Sequence, residues 1–320
     1  MTKYKLILDL DTGIDDALAI AYALADQDCE LIGIIGSYGN VVVEQGVRNS
    51  LDLLSLLGAA DVPVYQGLPC ASTKKNFVVE PISAQIHGKN GVANLTLPPH
   101  APRQVAEQDG VDFLITAIHK YQHNLLFVPT GPLTNLAAAI KKDPEIVQLI
   151  GGVTFMGGAL SVPGNVTPAA EANLHQDPAA ANEVLRSKLP LTMVGLDVTT
   201  RTLLTKKETQ TWRSLGTSAG SIYADLVDYY IDAYQVTSSH LAGCALHDPL
   251  AVAAALEPSL LQTFFLNMKV ETVPPFEGRT IGDEKRINEP ATTTQVALNV
   301  DKKRFVNKFM NRLTTLFADH

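Results

Sequence analysis

The amino-acid sequence predicts a single α/β domain with a mainly parallel sheet flanked by helices. Short continuous apolar runs alternate along the chain with longer segments of helical periodicity, which is typical of right-handed βαβ crossovers. The chain has 320 residues, of which 46% are hydrophobic and 18% charged, and no shift in composition marks a linker. We therefore expect one domain over residues 1–320, long enough to enclose one extended core.

The first strand is predicted at residues 4–10, because Leu6-Ile7-Leu8 is a continuous apolar run, as in a strand buried on both faces. The first helix is predicted at 17–25, which is rich in alanine and leucine. The same alternation then predicts strands at 31–36, 63–65, 125–129, 153–156 and 191–194, and helices at 44–57, 111–121 and 134–141.

The C-terminal part of the chain departs from this simple alternation. It is predicted to contain helical structure over 218–257, strands at 264–273, 280–287 and 294–300, and a last helix from Lys302. The longest irregular stretch, 66–103, lies between clear elements and is typical of an active-site loop.

Small, polar and turn residues follow four of the predicted strands. These segments are SYGN at 37–40, TGPLTN at 130–135, GGALSVPGN at 157–165 and GLDVTT at 195–200. The carboxyl ends of parallel strands meet at one edge of a sheet, and α/β proteins bind ligands there. The four segments are therefore expected to converge on a pocket.

Four carboxylates follow the first strand at the same edge, at Asp9, Asp11, Asp15 and Asp16. Like charges this close repel one another unless a cation or a positively charged ligand compensates them. Gly13 allows a tight bend, and the last two aspartates open a helix where its dipole favours negative charge. The cluster is therefore predicted to be a site.

Two kinds of metal-dependent site can be compared with this motif. An EF-hand calcium loop needs a glutamate at its twelfth position, whereas counting from Asp9 gives Ile20 and counting from Asp11 gives Tyr22. A haloacid-dehalogenase-like phosphohydrolase, with Mg²⁺, Asp9 as nucleophile and Asp11 as acid/base, remains an alternative. Against it, that family does not need two further aspartates directly after the motif, and no late Gly-Asp-x-x-x-Asp element follows a strand.

Charge and cysteine content limit the partners and the compartment. The net charge of -8 and the absence of a block rich in lysine and arginine argue against binding nucleic acid or anionic lipid. Cys29, Cys70 and Cys244 lack metal-type spacing and suit a reducing cytosol. No signal pattern and no apolar run long enough to span a bilayer is present, so we expect a cytoplasmic protein that acts on a small molecule.

The N-terminal motif resembles D-x-D-x-G-x-D-D, the signature of the nucleoside hydrolase family, the inosine-uridine type of nucleoside N-ribohydrolase. Residues 9–16 match it, with Thr12 in place of the commoner proline. Further segments are similar to later elements of the family, in family order: VPTGPLTN at 128–135, MGG at 156–158, GN at 164–165, EAN at 171–173 and HDP at 247–249. The resemblance implies a mixed, mostly parallel sheet with a Rossmann-like core, a ribonucleoside substrate, a tightly held Ca²⁺, and homodimers or homotetramers.

By this resemblance, the metal ligands would be Asp11, Asp16, the carbonyl of Thr130, and Asp248. They would leave positions around Ca²⁺ open for ribose hydroxyls and a water. Asp11 would also be the general base, taking a proton from the water as it attacks C1′ of the ribose. Carboxylates near the ring would stabilise an oxocarbenium-like transition state.

The resemblance also implies which residues contact the sugar. Asp15 and Asn40 would contact the 2′-hydroxyl, and Asn165, Glu171 and Asn173 would contact the 3′- and 5′-hydroxyls. These polar contacts would orient the substrate and make 2′-deoxyribosides poor substrates.

The base pocket is the least defined part of the predicted site. His247 could protonate the leaving base, because the ordinary pKa of histidine lies near neutrality. His87 matches a family histidine on a mobile loop, and Tyr230 and Tyr234 could face the base or belong to the core. Segment 236–240, VTSSH, lacks an expected basic residue, so purine or pyrimidine preference stays open.

Besides the phosphohydrolase, a second alternative to the nucleoside hydrolase is a ribose- or nucleoside-binding module without catalysis.

Overall fold

A computed structural model describes residues 4–98, 104–289, 292 and 294–320. Its strands are β1 (Tyr4–Leu10), β2 (Cys29–Gly36), β3 (Val64–Gln66), β4 (Leu125–Pro129), β5 (Gly152–Met156), β6 (Leu191–Val194), β7 (Leu203–Leu204), β8 (Cys244–Ala245), β9 (Leu261–Phe265), β10 (Met268–Val270), β11 (Thr280–Gly282) and β12 (Thr294–Val300).

The helices alternate with these strands. They are α1 (Ile14–Ala25), α2 (Val43–Leu56), α3 (Pro81–His87), α4 (Gly110–Tyr121), α5 (Thr134–Lys142), α6 (Ile146–Leu149), α7 (Ala172–Gln176), α8 (Pro178–Leu185), α9 (Leu196–Thr199), α10 (Lys206–Arg213), α11 (Ser218–Thr237), α12 (His247–Leu256) and α13 (Lys302–Ala318). Short 3₁₀ turns lie at Gln122–Asn124 and Pro258–Leu260.

Eight strands form the main sheet in the order β3-β2-β1-β4-β5-β6-β12-β9. Neighbouring strands are parallel, except that β9 runs antiparallel to β12 at one edge. Two small antiparallel pairs, β7 with β8 and β10 with β11, lie outside this sheet. The expected single-domain α/β fold with a mixed, mostly parallel sheet is confirmed.

Apolar side chains pack on both faces of the sheet. Along β1, Leu6 and Leu8 join the cluster that contains the apolar faces of α1, α12 and α13, and Ile7 joins the cluster on the opposite face. All three side chains are fully buried, each stabilising the fold by about 1.5–3 kcal/mol relative to an exposed position. The unbroken apolar run that predicted β1 therefore reflects burial on two faces.

The predicted helical segment 218–257 is wrong as a continuous region, because it is two helices separated by a turn and a short strand. α11 ends at Thr237, and α12 begins at His247. Between them, Gly243 lies so close to β7 that a Cβ atom would stand 2.0 Å from the carbonyl oxygen of Leu204. This close backbone approach, which a helix would not allow, is a tertiary contact that periodicity does not report.

The predicted strands at 264–273 and 280–287 are also too long. The first region divides at Asn267 into β9, in the main sheet, and β10, in the small pair. The second ends at Gly282, because Asp283 begins a turn by accepting a hydrogen bond from the backbone N–H of Lys285. In both regions a polar residue, Asn267 or Asp283, interrupts the segment that was predicted to be one strand.

The stretch 66–103 was predicted to be irregular, and its described part contains one short helix, α3. Residues 99–103 of this prediction lie outside the described residues. Within the described ranges, none of the helices has the length and apolarity needed to cross a membrane. Cys70 and Cys244 are free thiols, and Cys29 forms no disulfide among the described residues.

The strand order places one crevice at the centre of the sheet. β2 and β3 lie on one side of β1, and the chain then crosses to the other side with β4. The backbone N–H of Thr130, just beyond β4, donates to the carbonyl of Asp9 at 2.9 Å. Ligands of open α/β sheets bind where the strand order reverses in this way, so the first motif and the fourth strand meet at the expected position.

Candidate active site

Carboxylates from both ends of the chain meet above β1. Asp15 and Asp16 lie in the first turn of α1, and Asp248 lies in the first turn of α12, which packs against α1. One oxygen from each of these three carboxylates lies within 4.8 Å of the other two. All three side chains are buried, and both helix N-termini direct positive dipole ends toward them.

Backbone and hydroxyl groups fix the orientation of Asp11 and Asp16. Asp16 accepts from the N–H of Gly13 at 2.8 Å and from the Thr130 hydroxyl at 2.7 Å. Asp11 Oδ2 accepts from the backbone N–H of Asn40 at 2.8 Å. The side-chain amide of Asn40 lies 3.4 Å from Asp16, so this residue contacts both carboxylates.

The approach of Asp11 to the loop after β2 requires a glycine. A Cβ atom on Gly39 would stand 2.0 Å from Asp11 Oδ2. Gly39 therefore leaves space for the Asp11 carboxylate, which the backbone N–H of Asn40 binds.

Burial and mutual repulsion disfavour the ionised forms of the clustered carboxylates. Burial raises the pKa of Asp11, Asp16 and Asp248, and repulsion from neighbouring carboxylates adds to the rise for Asp11 and Asp248. For Asp15, burial and repulsion from Asp16 raise the pKa to about 7. Among the described residues, Asp11 Oδ1 and Asp15 Oδ1 are buried without a hydrogen-bond partner. A bound cation would supply the missing partner and reverse the rise in pKa.

Asp9 stands apart from this cluster. Its side chain is fully buried, and both of its oxygens accept from the Asn135 amide at 3.0 and 3.2 Å. Burial raises its pKa to about 8. Asp9 therefore supports the base of the crevice and does not join the carboxylates above it.

The carbonyl of Thr130 lies at the end of β4 beside the cluster. It accepts from the side-chain amide of Asn173 at 2.6 Å. A carbonyl oxygen has two lone pairs, so this bond leaves one available to a metal. The Asn173 amide also lies 3.3 Å from the carbonyl of Met156, and it thereby links the ends of β4 and β5.

The predicted 3′- and 5′-hydroxyl contacts form one loop beside Thr130. The buried carboxylate of Glu171 caps α7, accepting from the N–H groups of Gly158 at 2.9 Å and Asn173 at 2.8 Å. Asn165 is exposed and accepts from the N–H of Ala172 at 3.0 Å. These side chains shape the loop, and their direct contact with a sugar stays a prediction.

A chain of polar groups leads from His247 to the carboxylates. His247 Nε2 lies 2.6 Å from the Tyr234 hydroxyl, and Nδ1 lies 2.7 Å from the Thr199 hydroxyl. The Tyr234 hydroxyl is 3.5 Å from that of Tyr230, whose pKa is raised by burial and by the nearby charge of Asp15. Burial lowers the pKa of His247 to about 4, so the ring is uncharged at neutral pH. The expectation of a histidine that titrates near neutrality does not describe this buried ring.

His87 also faces the cluster. Its Nδ1 accepts from the backbone N–H of Ile14 at 3.1 Å and lies 3.9 Å from Asp15 Oδ1. Burial and the nearby His247 lower its pKa to about 3. The rings of His87 and Tyr230 have centroids 5.3 Å apart, and those of Tyr230 and Tyr234 are 4.9 Å apart. These rings form an aromatic wall along one side of the carboxylates.

Sequence analysis did not identify three residues that hold the site in place. Asn135 binds Asp9, Thr199 binds His247, and Ser50 binds Thr12. Two of them belong to segments noted at strand ends, TGPLTN and GLDVTT, but nothing in those segments distinguishes the residue that turns inward.

Comparison with known proteins gives consistent matches over nearly the whole chain. The family model described as inosine-uridine preferring nucleoside hydrolase matches residues 6–307. A probable uridine nucleosidase 2 of Arabidopsis thaliana is 34% identical over 321 residues, covering 97% of this chain and 98% of that protein. A pyrimidine-specific ribonucleoside hydrolase, RihA, of Escherichia coli O1:K1 is 33% identical over 311 residues, covering 96% and 97%.

A solved structure is more similar still. A purine-preferring ribonucleoside hydrolase from Gardnerella vaginalis has a TM-score of 0.97 and 55% sequence identity to this chain, covering 99% of this chain and 100% of that one.

Proposed function

We propose a calcium-dependent mechanism for this chain, which belongs to the inosine-uridine preferring nucleoside hydrolase family and is a ribonucleoside N-glycosyl hydrolase. With the family known, neither the phosphohydrolase nor the non-catalytic binding module is needed to account for the carboxylates. Asp9, which a phosphohydrolase would use as its nucleophile, is buried and bonded to Asn135.

The observation that carries the calcium proposal is the unpartnered oxygen of a proposed ligand, Asp11 Oδ1, in a buried acidic cluster. A hard cation with oxygen ligands fits this donor set. Asp11, Asp16, Asp248 and the carbonyl of Thr130 would hold Ca²⁺. When bound, it would supply positive charge that fixes the ribose hydroxyls and lowers the pKa of a water beside C1′.

The chain's own carboxylates would then carry the proton and the developing charge. Asp11 Oδ1 would take the proton from the attacking water, while the Asn40 N–H holds the other oxygen of Asp11 in place. As the bond between C1′ and the base breaks, positive charge develops on the ribose ring, and the carboxylates beneath it stabilise that charge. Asp11 thus acts as base and as part of the electrostatic support.

Hydroxyls of the sugar would be oriented by side chains around the cluster. Asp15 and Asn40 would bind the 2′-hydroxyl, and support comes from the free oxygen of Asp15 and the long 3.4 Å contact of the Asn40 amide. Asn165, Glu171 and Asn173 would contribute at the 3′- and 5′-hydroxyls, either directly or through the loop they shape.

The base would lie against the aromatic wall of His87, Tyr230 and Tyr234, with the neutral His247 behind Tyr234. We infer a preference for purine ribonucleosides, because the relative with 55% identity is described as purine-preferring. Pyrimidine ribonucleosides are the second candidate, because relatives at 33–34% identity are described as acting on them.

The test is a substrate panel with Ca²⁺ present. Release of ribose from inosine, adenosine, guanosine, uridine and cytidine should give the highest kcat/KM for a purine ribonucleoside. 2′-Deoxyinosine should be poorer than inosine by about 100-fold or more, because a lost hydroxyl leaves buried partners unpaired. Asp11→Asn should lower kcat by about 1,000-fold or more.

The exposed Asp28 provides the matched control, since Asp28→Asn removes a carboxylate far from the site. It should retain wild-type kcat. If the calcium-loaded wild type released ribose from none of the five nucleosides, the proposal would be wrong. A best kcat/KM on uridine or cytidine would contradict only the purine preference.

Two further expectations accompany this function. Assembly into homodimers or homotetramers is proposed from the family resemblance alone. A cytoplasmic location is proposed from the cysteine content, because no disulfide forms among the described residues.

A further inference from the structure

A continuous line of polar groups runs from a short helix to the carboxylate cluster. It begins at Thr199, the last residue of α9, and passes through His247 and Tyr234 to Tyr230, which lies near Asp15. All five side chains are at least nine-tenths buried. Each member must therefore find its hydrogen-bond partners within the protein or the substrate.

The chemistry of the first group fixes the direction of its hydrogen bond. A threonine hydroxyl has one hydrogen to donate, and the only acceptor recorded for Thr199 among the described residues is His247 Nδ1. If Nδ1 carried the proton instead, the fully buried hydroxyl of Thr199 would be left with an unpaired hydrogen. The arrangement that gives the buried Thr199 hydrogen an acceptor has Thr199 donating to Nδ1.

The rest of the line follows from that bond. A neutral imidazole carries one N–H, so His247 then bears its hydrogen on Nε2 and donates to the Tyr234 oxygen. The Tyr234 hydrogen is left to point away from His247.

We propose that Thr199 is a positioning residue for N-glycosidic cleavage, which holds His247 in the Nε2–H tautomer and so leaves the Tyr234 hydroxyl hydrogen free for the leaving base. This inference rests on the proposed function of the site. The 3.5 Å contact between the hydroxyls of Tyr234 and Tyr230 is the weakest bond of the line, so that hydrogen can turn to a substrate at little cost.

The opposite tautomer would have a clear chemical consequence. With its hydrogen on Nδ1, His247 would accept the Tyr234 hydroxyl hydrogen at Nε2, and that hydrogen would no longer reach the base. The base departs with both electrons of the C1′–N bond, so it benefits from a hydrogen-bond donor as the bond breaks. Thr199 would therefore affect the rate without touching the substrate.

The test compares leaving groups in two variants at this position. Thr199→Val keeps the shape of the side chain and removes its donor, and Thr199→Ser restores the donor. On a purine ribonucleoside, Thr199→Val should lower kcat by about 10- to 100-fold with KM changed by less than about threefold. Thr199→Ser should stay within about threefold of the wild type.

An activated substrate separates positioning from damage to the site. 4-Nitrophenyl β-D-ribofuranoside releases a stable anion that needs no donor, so Thr199→Val should cleave it within about threefold of the wild type. The adjacent Thr200 is the matched control, because its hydroxyl donates only to the helix carbonyl of Leu196. Thr200→Val should behave as the wild type on both substrates.

Nitrogen-15 NMR of histidine-labelled protein reads the tautomer directly, with His247→Gln used to assign the signal. The wild type should show a protonated Nε2 and a bare Nδ1 at His247, and Thr199→Val should lose this preference. A wild-type ring protonated on Nδ1 would overturn the proposal, as would equal losses on both substrates or no loss on either. If the wild type cleaves no riboside at all, the proposed function fails, while the NMR result still decides the role of Thr199.

Discussion

At the scale of single residues, Thr12 shows how this chain departs from the family signature. Its side chain is fully buried, and its hydroxyl lies 2.8 Å from that of Ser50 on α2. Its carbonyl accepts from the side-chain amide of Asn49 at 3.1 Å. A proline at position 12 would leave the buried Ser50 hydroxyl without this partner. The threonine therefore ties the turn that carries the aspartates to the second helix.

The Thr12–Ser50 bond should appear as a coupling free energy. Thr12→Val and Ser50→Ala should each lower the free energy of unfolding by about 1–2 kcal/mol, because each leaves one buried hydroxyl unpaired or removes it. The loss of unfolding free energy in the double variant should be smaller than the sum of the two single losses, by about 0.5–1.5 kcal/mol. Urea unfolding of the four proteins measures this cycle.

Ser55, on the same helix and only half-buried, offers the control for this measurement. Thr12→Val combined with Ser55→Ala should be additive within about 0.5 kcal/mol. If the effects of Thr12→Val and Ser50→Ala on the free energy of unfolding also added within about 0.5 kcal/mol, the two hydroxyls would not stabilise one another.

The sequence predicted the aspartates of the site better than the residues that hold them. Closely spaced like charges need an external partner, and this requirement is visible in eight consecutive letters. The partners Asn135, Thr199 and Ser50 come from other segments of the chain, and each is an ordinary polar residue in its own context. Only the folded sheet brings them together, so single-sequence reasoning had no signal for them.

At the scale of elements, the strands of the parallel core were the easiest to predict. Burial on both faces gives β1 the apolar run 6–8 and β4 the apolar run 125–128. The predictions failed where polar tertiary contacts divide an apolar stretch, as at Gly243 and Asn267. Neither the approach of Gly243 to β7 nor the buried bond of the Asn267 amide to the Arg286 carbonyl is encoded in local periodicity.

One buried carboxylate, that of Asp283, helps to attach the small pair β10–β11 to the domain. Asp283 lies 2.7 Å from Nε of Arg286 and 3.3 Å from Nε of Arg186 beside α8. Its backbone N–H donates to the carbonyl of Asn267 at 2.7 Å. Burial alone would raise the pKa of Asp283, but the Arg286 and Lys285 hydrogen bonds and both guanidinium charges lower it overall.

Asp283→Asn should therefore destabilise the fold by about 2–3 kcal/mol near neutral pH, because it removes the carboxylate charge that pairs with a partly buried arginine. The folded-state pKa is depressed, so the ionic contribution is present above the unfolded pKa and is lost as pH falls through the folded pKa. The difference between variant and wild type should shrink as the pH falls below about 4. Urea unfolding at a series of pH values measures it.

Glu284 is the control, since it is exposed and paired only with Lys269 at the surface. Glu284→Gln should change the free energy of unfolding by no more than about 1 kcal/mol at any pH. A constant difference for Asp283→Asn across the whole pH series would mean that its carboxylate charge is not what stabilises this region.

At the scale of the whole molecule, the site joins distant parts of the chain. The four proposed ligands follow β1, follow β4 and open α12, so they lie near residues 11, 130 and 248 of 320. The strand order puts β1 beside β4, and α12 packs on α1, β4 and β5. The first and last thirds of the fold therefore meet around four buried carboxylates that repel one another when ionised.

This arrangement predicts that Ca²⁺ stabilises the entire domain. A cation that binds only the folded state at about 100 times its Kd adds about 2.7 kcal/mol to the free energy of unfolding. For a chain of this size we expect a rise in Tm of a few degrees, reversed by a chelator. Mg²⁺ should raise Tm less, because it demands a smaller and more regular shell than a site of four fixed protein oxygens provides.

Thermal unfolding against calcium concentration, followed by circular dichroism, measures the effect. Asp248→Asn removes one proposed ligand. The substitution also relieves the charge repulsion that Asp248 exerts on Asp15, Asp16 and Asp11, in a cluster where burial and mutual repulsion disfavour ionised carboxylates. The variant should therefore have a higher Tm than the wild type in chelator but gain much less from Ca²⁺. Asp28→Asn, at the surface, should keep the full response. A wild type whose Tm ignores both Ca²⁺ and chelator, or an Asp248→Asn variant with an unchanged response, would mean that these carboxylates are not joined by a metal.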